Sequence, residues 1–184
     1  MNNDKLCVIF PGVGYHKDKP LLYYASRLAS KSGYDILSVE YSNLPQKIKG
    51  DAEMMKKAAE IAYAQTVSQL KDTDLKGCHD ILLIGKSIGT YLLAKYAADN
   101  DLKAKQLWYT PVEATFSFDS KNVLAFIGDA DPWSDVAEVK RIAGKQNIPL
   151  HSYPDCNHSL ECDDIEKNID ILKDVMNKTA LFIA

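Results

Sequence analysis

The chain has 184 residues, of which 46% are hydrophobic and 26% are charged, and this length and composition predict one globular domain over residues 1–184 that folds without cross-links. The 22 Lys and Arg against 25 Asp and Glu disfavour a nucleic-acid partner, which would select a basic surface. The sequence shows neither a signal-peptide pattern nor an apolar run near the roughly 18 residues of a membrane span, so we expect a cytoplasmic protein.

Short apolar runs alternate along the chain with stretches of helical periodicity. The apolar runs predict strands at 6–10, 35–41, 80–84, 106–109, 122–127 and 149–153, and the periodic stretches predict helices at 20–32, 51–71, 87–100, 135–146 and 163–178. Pro20 suits a first helical turn, and Asp51, Ser134 and Asp163 are the predicted N-caps. The segments 42–50 and 110–121 are the long connections, and both follow the carboxyl end of a strand.

The predicted strands are apolar on both faces rather than on alternate residues. Such strands, alternating with helices, predict an α/β fold: a doubly wound, mainly parallel six-stranded sheet with helices on both faces. Ligands of these sheets bind beyond the carboxyl ends of the strands, so the residues that directly follow each strand are the functional candidates. The apolar segment 179–184 is expected to pack on its own domain.

The third predicted strand is followed by Gly85-Lys86-Ser87-Ile88-Gly89, which leads directly into a helix. A Gly-x-Ser-x-Gly sequence in this position is typical of a nucleophile elbow, in which a strained turn holds the serine over the sheet edge and the glycines leave room beside it. Ser87 is therefore a candidate nucleophile. The motif alone also fits an inert turn or a phosphate-binding loop, but the latter requires a glycine at the position of Asp80.

Acid and base partners for Ser87 follow later strands. The fifth strand ends in Gly128-Asp129-Ala130-Asp131, and a loop containing His158 follows the sixth. Serine, carboxylate and histidine in this chain order match one known arrangement of a catalytic triad. Asp131 lies past the strand end and is favoured as the carboxylate that orients His158, with Asp129 as the alternative and otherwise a turn-forming residue.

Other loops at the same edge are predicted to complete the site. The loop after the first strand is expected to offer the backbone N–H of Val13 to an oxyanion, and Ile88 is expected to offer a second N–H from the start of its helix. His16 could line the pocket, whereas His79 and His151 fall at the start of a strand and within one. The candidates for an apolar substrate pocket are Tyr15, Val112 and Trp133, with Tyr41 and Phe116, and each has core packing as its alternative.

The Pro11-Gly12-Val13-Gly14 loop, the elbow around Ser87, the turn at 128–131 and the Asn157-His158-Ser159-Leu160 segment together resemble the α/β-hydrolase superfamily, and within it the small, cap-free serine hydrolases and esterases. The resemblance spans essentially the whole chain. Pro11-Gly12 stands where His-Gly is common, and the family's first antiparallel hairpin is missing. Lys86 is an uncommon residue at its place in the elbow, either lying under the nucleophile or pointing away from it.

The resemblance implies hydrolysis of an ester, thioester or amide of a small acyl substrate. Ser87 would attack the carbonyl, His158 would accept its proton, Asp131 would orient the imidazole and water would release the acyl-enzyme. No cofactor or metal is implied, and the spacing of the set Cys156, His158, Cys162 and Asp163 fits no common zinc pattern. All four cysteines are predicted to be reduced thiols.

Two other function classes are weighed against this one. The first is a catalytically silent α/β-hydrolase fold that serves as a binding protein, because a fold does not imply a function. The second is a nucleotide-binding domain, which is disfavoured because no Gly-x-Gly-x-x-Gly follows the first strand. With no segment long enough for a cap, the site is expected to be open and suited to small substrates.

Overall fold

The computed structural model of the chain describes residues 4–45 and 50–184. Six parallel strands form one sheet in the order β2-β1-β3-β4-β5-β6. The strands are β1 (Lys5–Phe10), β2 (Asp35–Ser38), β3 (Asp80–Lys86), β4 (Lys105–Tyr109), β5 (Val123–Gly128) and β6 (Leu150–Tyr153). The predicted fold class is confirmed.

Helices cover both faces of the sheet, as the doubly apolar strands predict. The helices are α1 (Pro20–Lys31), α2 (Ala52–Leu70), α3 (Ile88–Asp99), α4 (Val136–Lys145) and α5 (Ile165–Ile183). Helices α2, α3 and α4 share one apolar core with the sheet, and α1 and α5 share the other. Because all strands are parallel, their carboxyl ends meet at one edge, and the loops that follow β1, β3, β5 and β6 converge there.

The structure corrects several predicted boundaries. Strand β2 ends at Ser38 rather than at residue 41. Beyond it, the backbones of Glu40 and Ser42 exchange hydrogen bonds with the side chains of Gln69 and Gln65 on α2. The predicted loop at 110–121 contains a short 3-10 helix, Glu113–Ser117. Of the other predicted connection, residues 46–49 lie outside the described part of the chain, as do residues 1–3 of the N-terminal segment.

The helix ends show a similar one-residue displacement. Asp51 caps α2 as predicted, but α4 is capped by Asp135 rather than Ser134, and α5 by Asp164 rather than Asp163. Ser134 instead donates its hydroxyl to the Pro111 carbonyl.

Helix α5 also continues well past its predicted end at residue 178. Thr179 and Ile183 face the sheet, and the Thr179 hydroxyl lies 2.7 Å from that of Tyr109. The C-terminal segment therefore packs on the sheet of its own chain.

Two glycines allow the elbow to sit between its neighbours. A Cβ on Gly89, in the first turn of α3, would lie 2.0 Å from the Phe10 carbonyl oxygen at the end of β1. A Cβ on Gly85 would lie 2.5 Å from the Leu93 side chain and 2.7 Å from the Gly89 backbone. Only glycine permits this close approach of β1, β3 and α3.

This crowding predicts opposite effects for the same substitution at two helical glycines. Gly89→Ala should lower the free energy of unfolding by roughly 2 kcal/mol or more, because the obstructing atom belongs to the backbone of a buried strand. The matched control is Gly144→Ala in α4, where a Cβ meets nothing within 4 Å, and it should gain about 0.5–1 kcal/mol from helix propensity. Urea denaturation followed by circular dichroism measures both values, and equal effects at the two sites would contradict the close approach.

Candidate active site

Ser87 occupies the turn between β3 and α3 with φ 56° and ψ −125°. This is a strained conformation for a residue with a side chain, and it is held by hydrogen bonds at both ends of the turn. The Ser87 N–H donates to the Tyr109 carbonyl at 3.0 Å, and the Ser87 carbonyl accepts from the N–H of Thr90 at 2.8 Å and its hydroxyl at 2.7 Å. Ser87 therefore has the geometry of a nucleophile elbow.

Asp131 and His158 form a tight pair beside this turn. Nδ1 of His158 lies 2.6 Å from Oδ2 of Asp131, whose side chain is completely buried. The other carboxylate oxygen of Asp131 accepts the Trp133 N–H at 2.9 Å. The Trp133 ring stacks on the imidazole with centroids 5.8 Å apart. The carboxylate is thus fixed from two sides, and the imidazole is held by an ionisable partner and an aromatic face.

Asp129, the alternative carboxylate, turns elsewhere. Its side chain forms an ion pair with Lys140 of α4 at 2.8 Å. Its predicted local role, bonding nearby backbone N–H groups through the side chain, is therefore replaced by a contact with a helix. Among the two aspartates of the turn, Asp131 is the one in contact with His158.

The histidine loop is packed directly onto the end of β5. A Cβ on Gly128 would lie 2.2 Å from the Cys156 carbonyl oxygen and 2.5 Å from that of Asn157. The Ala130 N–H donates to the same Cys156 carbonyl at 2.9 Å. The missing side chain at Gly128 lets the two loops touch, and this contact brings His158 within reach of Asp131.

The loop after β1 lies against the elbow from the other side. Gly12 and Tyr15 exchange backbone hydrogen bonds of 3.1 and 3.3 Å, which place Val13 at the tip of a tight turn. A Cβ on Gly12 would lie only 3.3 Å from Cβ of Ser87. Ile88 is the first residue of α3, where the backbone N–H has no partner within the helix. Both predicted oxyanion donors therefore flank Ser87.

One cavity of about 780 Å³ brings these parts together. Seven of the eight predicted site residues line it, and Asp131 lies outside the lining. The seven are Ser87, His158, Val13, Ile88, Tyr15, Val112 and Trp133.

Three further candidates for the pocket do not line the cavity. Phe116 packs in the core against Trp108, Tyr41 packs against the same core, and His16 is exposed beside Asp18.

One wall of the cavity is formed by residues that the sequence did not predict. Helix α2 contributes Met55, Ala59 and Tyr63, among others. The expected open site is therefore walled on the α2 side, and its volume is typical of pockets that enclose a small organic ligand. Helix α2 is rich in alanine and its polar and apolar faces are weakly separated, so its sequence gave no signal for this role.

Lys86 is the residue of the elbow whose orientation the sequence left open. Its side chain is only 1% exposed and lines the cavity, with Nζ 4.9 Å from the centroid of the Tyr15 ring. The pKa of Lys86 is lowered to about 7, chiefly by burial and in smaller part by the nearby Lys19, whereas Asp131 and Glu161 act in the opposite direction. A buried amine that titrates near neutrality thus borders the same cavity as the candidate nucleophile.

Other kinds of site find no support in the described residues. Within residues 4–45 and 50–184, no group of three or more His, Cys, Asp and Glu side chains is arranged to hold a metal ion. All four cysteines are free thiols. None of the helices in the described ranges is both long and apolar enough to cross a bilayer.

The buried amine predicts that Lys86→Met stabilises the protein in a pH-dependent way. In the unfolded chain the lysine has an ordinary pKa of about 10.4. Below pH 7 the amine is therefore charged in both the folded and the unfolded state, and the whole cost of burying the charge lowers the free energy of unfolding. Between pH 7 and 10.4 only the folded state loses the proton, so the destabilisation caused by burying Lys86 decreases as the pH rises. Lys86→Met should therefore raise the Tm by about 5 °C or more at pH 6 and by less at pH 9.

Differential scanning calorimetry at the two pH values measures this effect. Lys103→Met, which removes the same charge from an exposed position outside the cavity, should leave the Tm nearly unchanged. A lower Tm for Lys86→Met at pH 6 would contradict an uncompensated buried charge.

Known structures share this arrangement of strands and helices. A candidate hydrolase of the alpha/beta superfamily from Xanthomonas campestris aligns with a TM-score of 0.71 at 13% identity, covering 96% of each chain. An alpha-beta serine hydrolase homologue from Coxiella burnetii aligns at 0.65 and 16% identity over 95% of this chain and 85% of that one. A second Xanthomonas campestris protein, described as an a/b serine hydrolase without lid, aligns at 0.60 and 17% identity over 95% and 80%.

Sequence comparison adds nothing to this likeness, since neither a protein-family model nor a curated protein matches the chain. At these identities the structural likeness concerns the fold. The chain has the fold of the α/β-hydrolase superfamily.

Proposed function

We propose that the protein is a serine hydrolase that cleaves an ester of a small acyl substrate through Ser87, His158 and Asp131. The observation that carries the proposal is the 2.6 Å contact between the buried Asp131 carboxylate and His158 Nδ1, in a histidine that lines the same cavity as the strained Ser87. A carboxylate on Nδ1 favours the imidazole tautomer in which Nε2 acts as the base. The structural likeness to hydrolases supports the same reaction class.

In the first half-reaction, Oγ of Ser87 attacks the carbonyl carbon while Nε2 of His158 takes the hydroxyl proton. A bond forms between Oγ and the acyl carbon, and the carbonyl π electrons move onto oxygen. The tetrahedral intermediate collapses, the bond to the leaving group breaks, and His158 returns the proton to the departing oxygen. Asp131 holds the imidazole tautomer and stabilises the imidazolium without accepting the proton itself.

In the second half-reaction, water takes the place of the alcohol. His158 removes a proton from the water as its oxygen attacks the acyl carbon, and the collapse of the second intermediate returns the proton to Oγ. The products are the acid and the free enzyme. Each step uses only protein groups and water, and esters are favoured over amides as substrates because the ester carbonyl is more electrophilic and an alcohol is a better leaving group than an amine.

The N–H groups of Val13 and Ile88 are proposed to bind the oxyanion of both intermediates. Ile88 lies at the start of α3, where the helix dipole adds to its N–H. Val13 lies at the tip of the loop that Gly12 brings against Ser87. Donors held in place before the reaction stabilise the developing charge without reorganising, and losing one costs about 2.7–4 kcal/mol of transition-state stabilisation in well-studied cases.

A serine-directed fluorophosphonate probe tests the proposal. The wild-type protein should be labelled at Ser87, because an activated serine attacks the phosphorus of the probe and displaces fluoride to form a phosphonate ester, and Ser87→Ala should remain unlabelled. Gel fluorescence and peptide mapping by mass spectrometry provide the measurement. A folded wild type that stays unlabelled, as judged by its circular dichroism, would support the catalytically silent binding fold instead.

The two aspartates of the β5 turn give a sharper test. Asp131→Asn should lower kcat for a 4-nitrophenyl ester by roughly 10³–10⁴, because an amide holds the wrong imidazole tautomer and cannot stabilise the imidazolium. Asp129→Asn removes a carboxylate two residues away that is paired with Lys140, and it should change kcat by less than about threefold, as expected for a partly exposed ion pair. Steady-state kinetics on both variants decide between them: a larger loss at Asp129 would reverse the assignment.

A further inference from the structure

Lys86 is a buried cation with no ion pair among the residues that the structure describes. An ammonium taken out of water normally requires a carboxylate or several acceptors in compensation. Here Nζ faces the π-surface of Tyr15, a weaker substitute. The charge borders the cavity, so a ligand in the cavity can supply the missing anion.

A second lysine flanks the same ring. Nζ of Lys19, at the N-cap of α1, lies 5.4 Å from the Tyr15 ring centroid and also borders the cavity. The ring itself is fixed, because the Tyr15 hydroxyl accepts the Leu21 N–H at 3.1 Å in a buried position. Two ammonium groups that repel one another are thus held around one rigid aromatic side chain, which is the arrangement of an anion site.

The cavity as a whole is positively charged, like the site formed by Lys86 and Lys19. Four lysines and one glutamate border it, although the complete chain carries more acidic than basic residues. Of the four, Lys95 is paired with Asp99 at 2.8 Å, and Lys56 is exposed. Among the described residues, the lysines of the cavity that are neither exposed nor ion-paired are therefore Lys86 and Lys19.

We propose that the substrate is an anionic ester whose short acyl chain carries a carboxylate. Lys86 and Lys19 would bind this carboxylate where the acyl chain enters the cavity beside Tyr15. This substrate class rests on the proposed hydrolase function, because Ser87 is the group that would act on the bound ester. The carboxylate would form the ion pair that Lys86 lacks in the free protein. Phosphate offers the same anionic oxygens, and the experiment separates the two anions.

The anion site has a defined pH dependence. The charged groups that act on Lys86 are Lys19 from α1, Asp131 from the β5 loop and Glu161 from the β6 loop, and Tyr15 faces it as a neutral phenol. In the free protein the pKa of Lys86 is about 7, and a bound anion raises it. Anion affinity should therefore be constant below pH 7 and fall above it, with proton uptake on binding.

The kinetic test compares mono-(4-nitrophenyl) glutarate with its neutral methyl ester, which has the same acyl chain and leaving group. In the wild type we expect kcat/KM to be at least tenfold higher for the anionic ester. Lys86→Met should reduce this ratio at least tenfold, and Lys19→Met should reduce it by a smaller factor. Lys103→Met, an equal change of net charge outside the cavity, should keep the wild-type ratio. Equal ratios in wild type and Lys86→Met would overturn the proposal.

A binding test separates this inference from the hydrolase proposal. Glutarate and inorganic phosphate are titrated into Ser87→Ala, with and without Lys86→Met, by calorimetry at pH 6 and pH 8.5. We expect glutarate to bind more tightly than phosphate, more tightly at pH 6, and only when Lys86 is present. If glutarate binds but the wild type hydrolyses no ester, the anion site is supported and the hydrolase proposal is overturned. If the wild type hydrolyses esters without charge preference and glutarate does not bind, the hydrolase proposal is supported and the anion site is overturned. Binding of phosphate alone would overturn the carboxylate assignment.

Discussion

The turn that holds Ser87 at a positive φ is the constraint on which the rest of the site depends. A side chain in this conformation is strained, and hydrogen bonds and the close approach of β1, β3 and α3 hold the turn in place. Gly89 admits the end of β1, and Gly12 admits the following loop to the side of Ser87. The same crowding that strains the serine therefore brings Val13 and Ile88 beside it.

The other two candidate catalytic residues come from the loops after β5 and β6, at the same edge of the sheet. Gly128 lets the His158 loop touch the end of β5, and this contact sets the distance from Asp131 to the imidazole. Asp131 and Lys86 are both buried at this site, but different partners offset the cost of burying their charges. Asp131 has a histidine and a backbone N–H, whereas Lys86 has an aromatic ring. Sites that bind charged ligands commonly retain such a destabilising residue, since the ligand completes its surroundings.

Much of this could be predicted from the sequence, because two simple regularities carry it. Doubly apolar strands between helices specify a parallel sheet, and parallel strands bring Ser87, Asp131 and His158 to one edge. The choice between Asp129 and Asp131 could not be predicted in this way, since both residues follow β5 and differ only in the side chains that they contact. Asp129 forms an ion pair with Lys140, which lies in α4. No local sequence pattern encodes the distance between that helix and the turn. The same holds for the α2 wall and the burial of Lys86, which are products of tertiary packing.

The central claim is that Ser87 attacks an acyl group whose oxyanion is received by Val13 and Ile88. A crystal structure of the protein after reaction with a small 4-nitrophenyl phosphonate tests it most directly, because the adduct mimics the tetrahedral intermediate. We predict phosphorus bonded to Ser87 Oγ, with the phosphonyl oxygen about 2.7–3.1 Å from both backbone nitrogens and His158 beside the adduct. Phosphorus on another residue, or a phosphonyl oxygen that faces solvent, would contradict the claim.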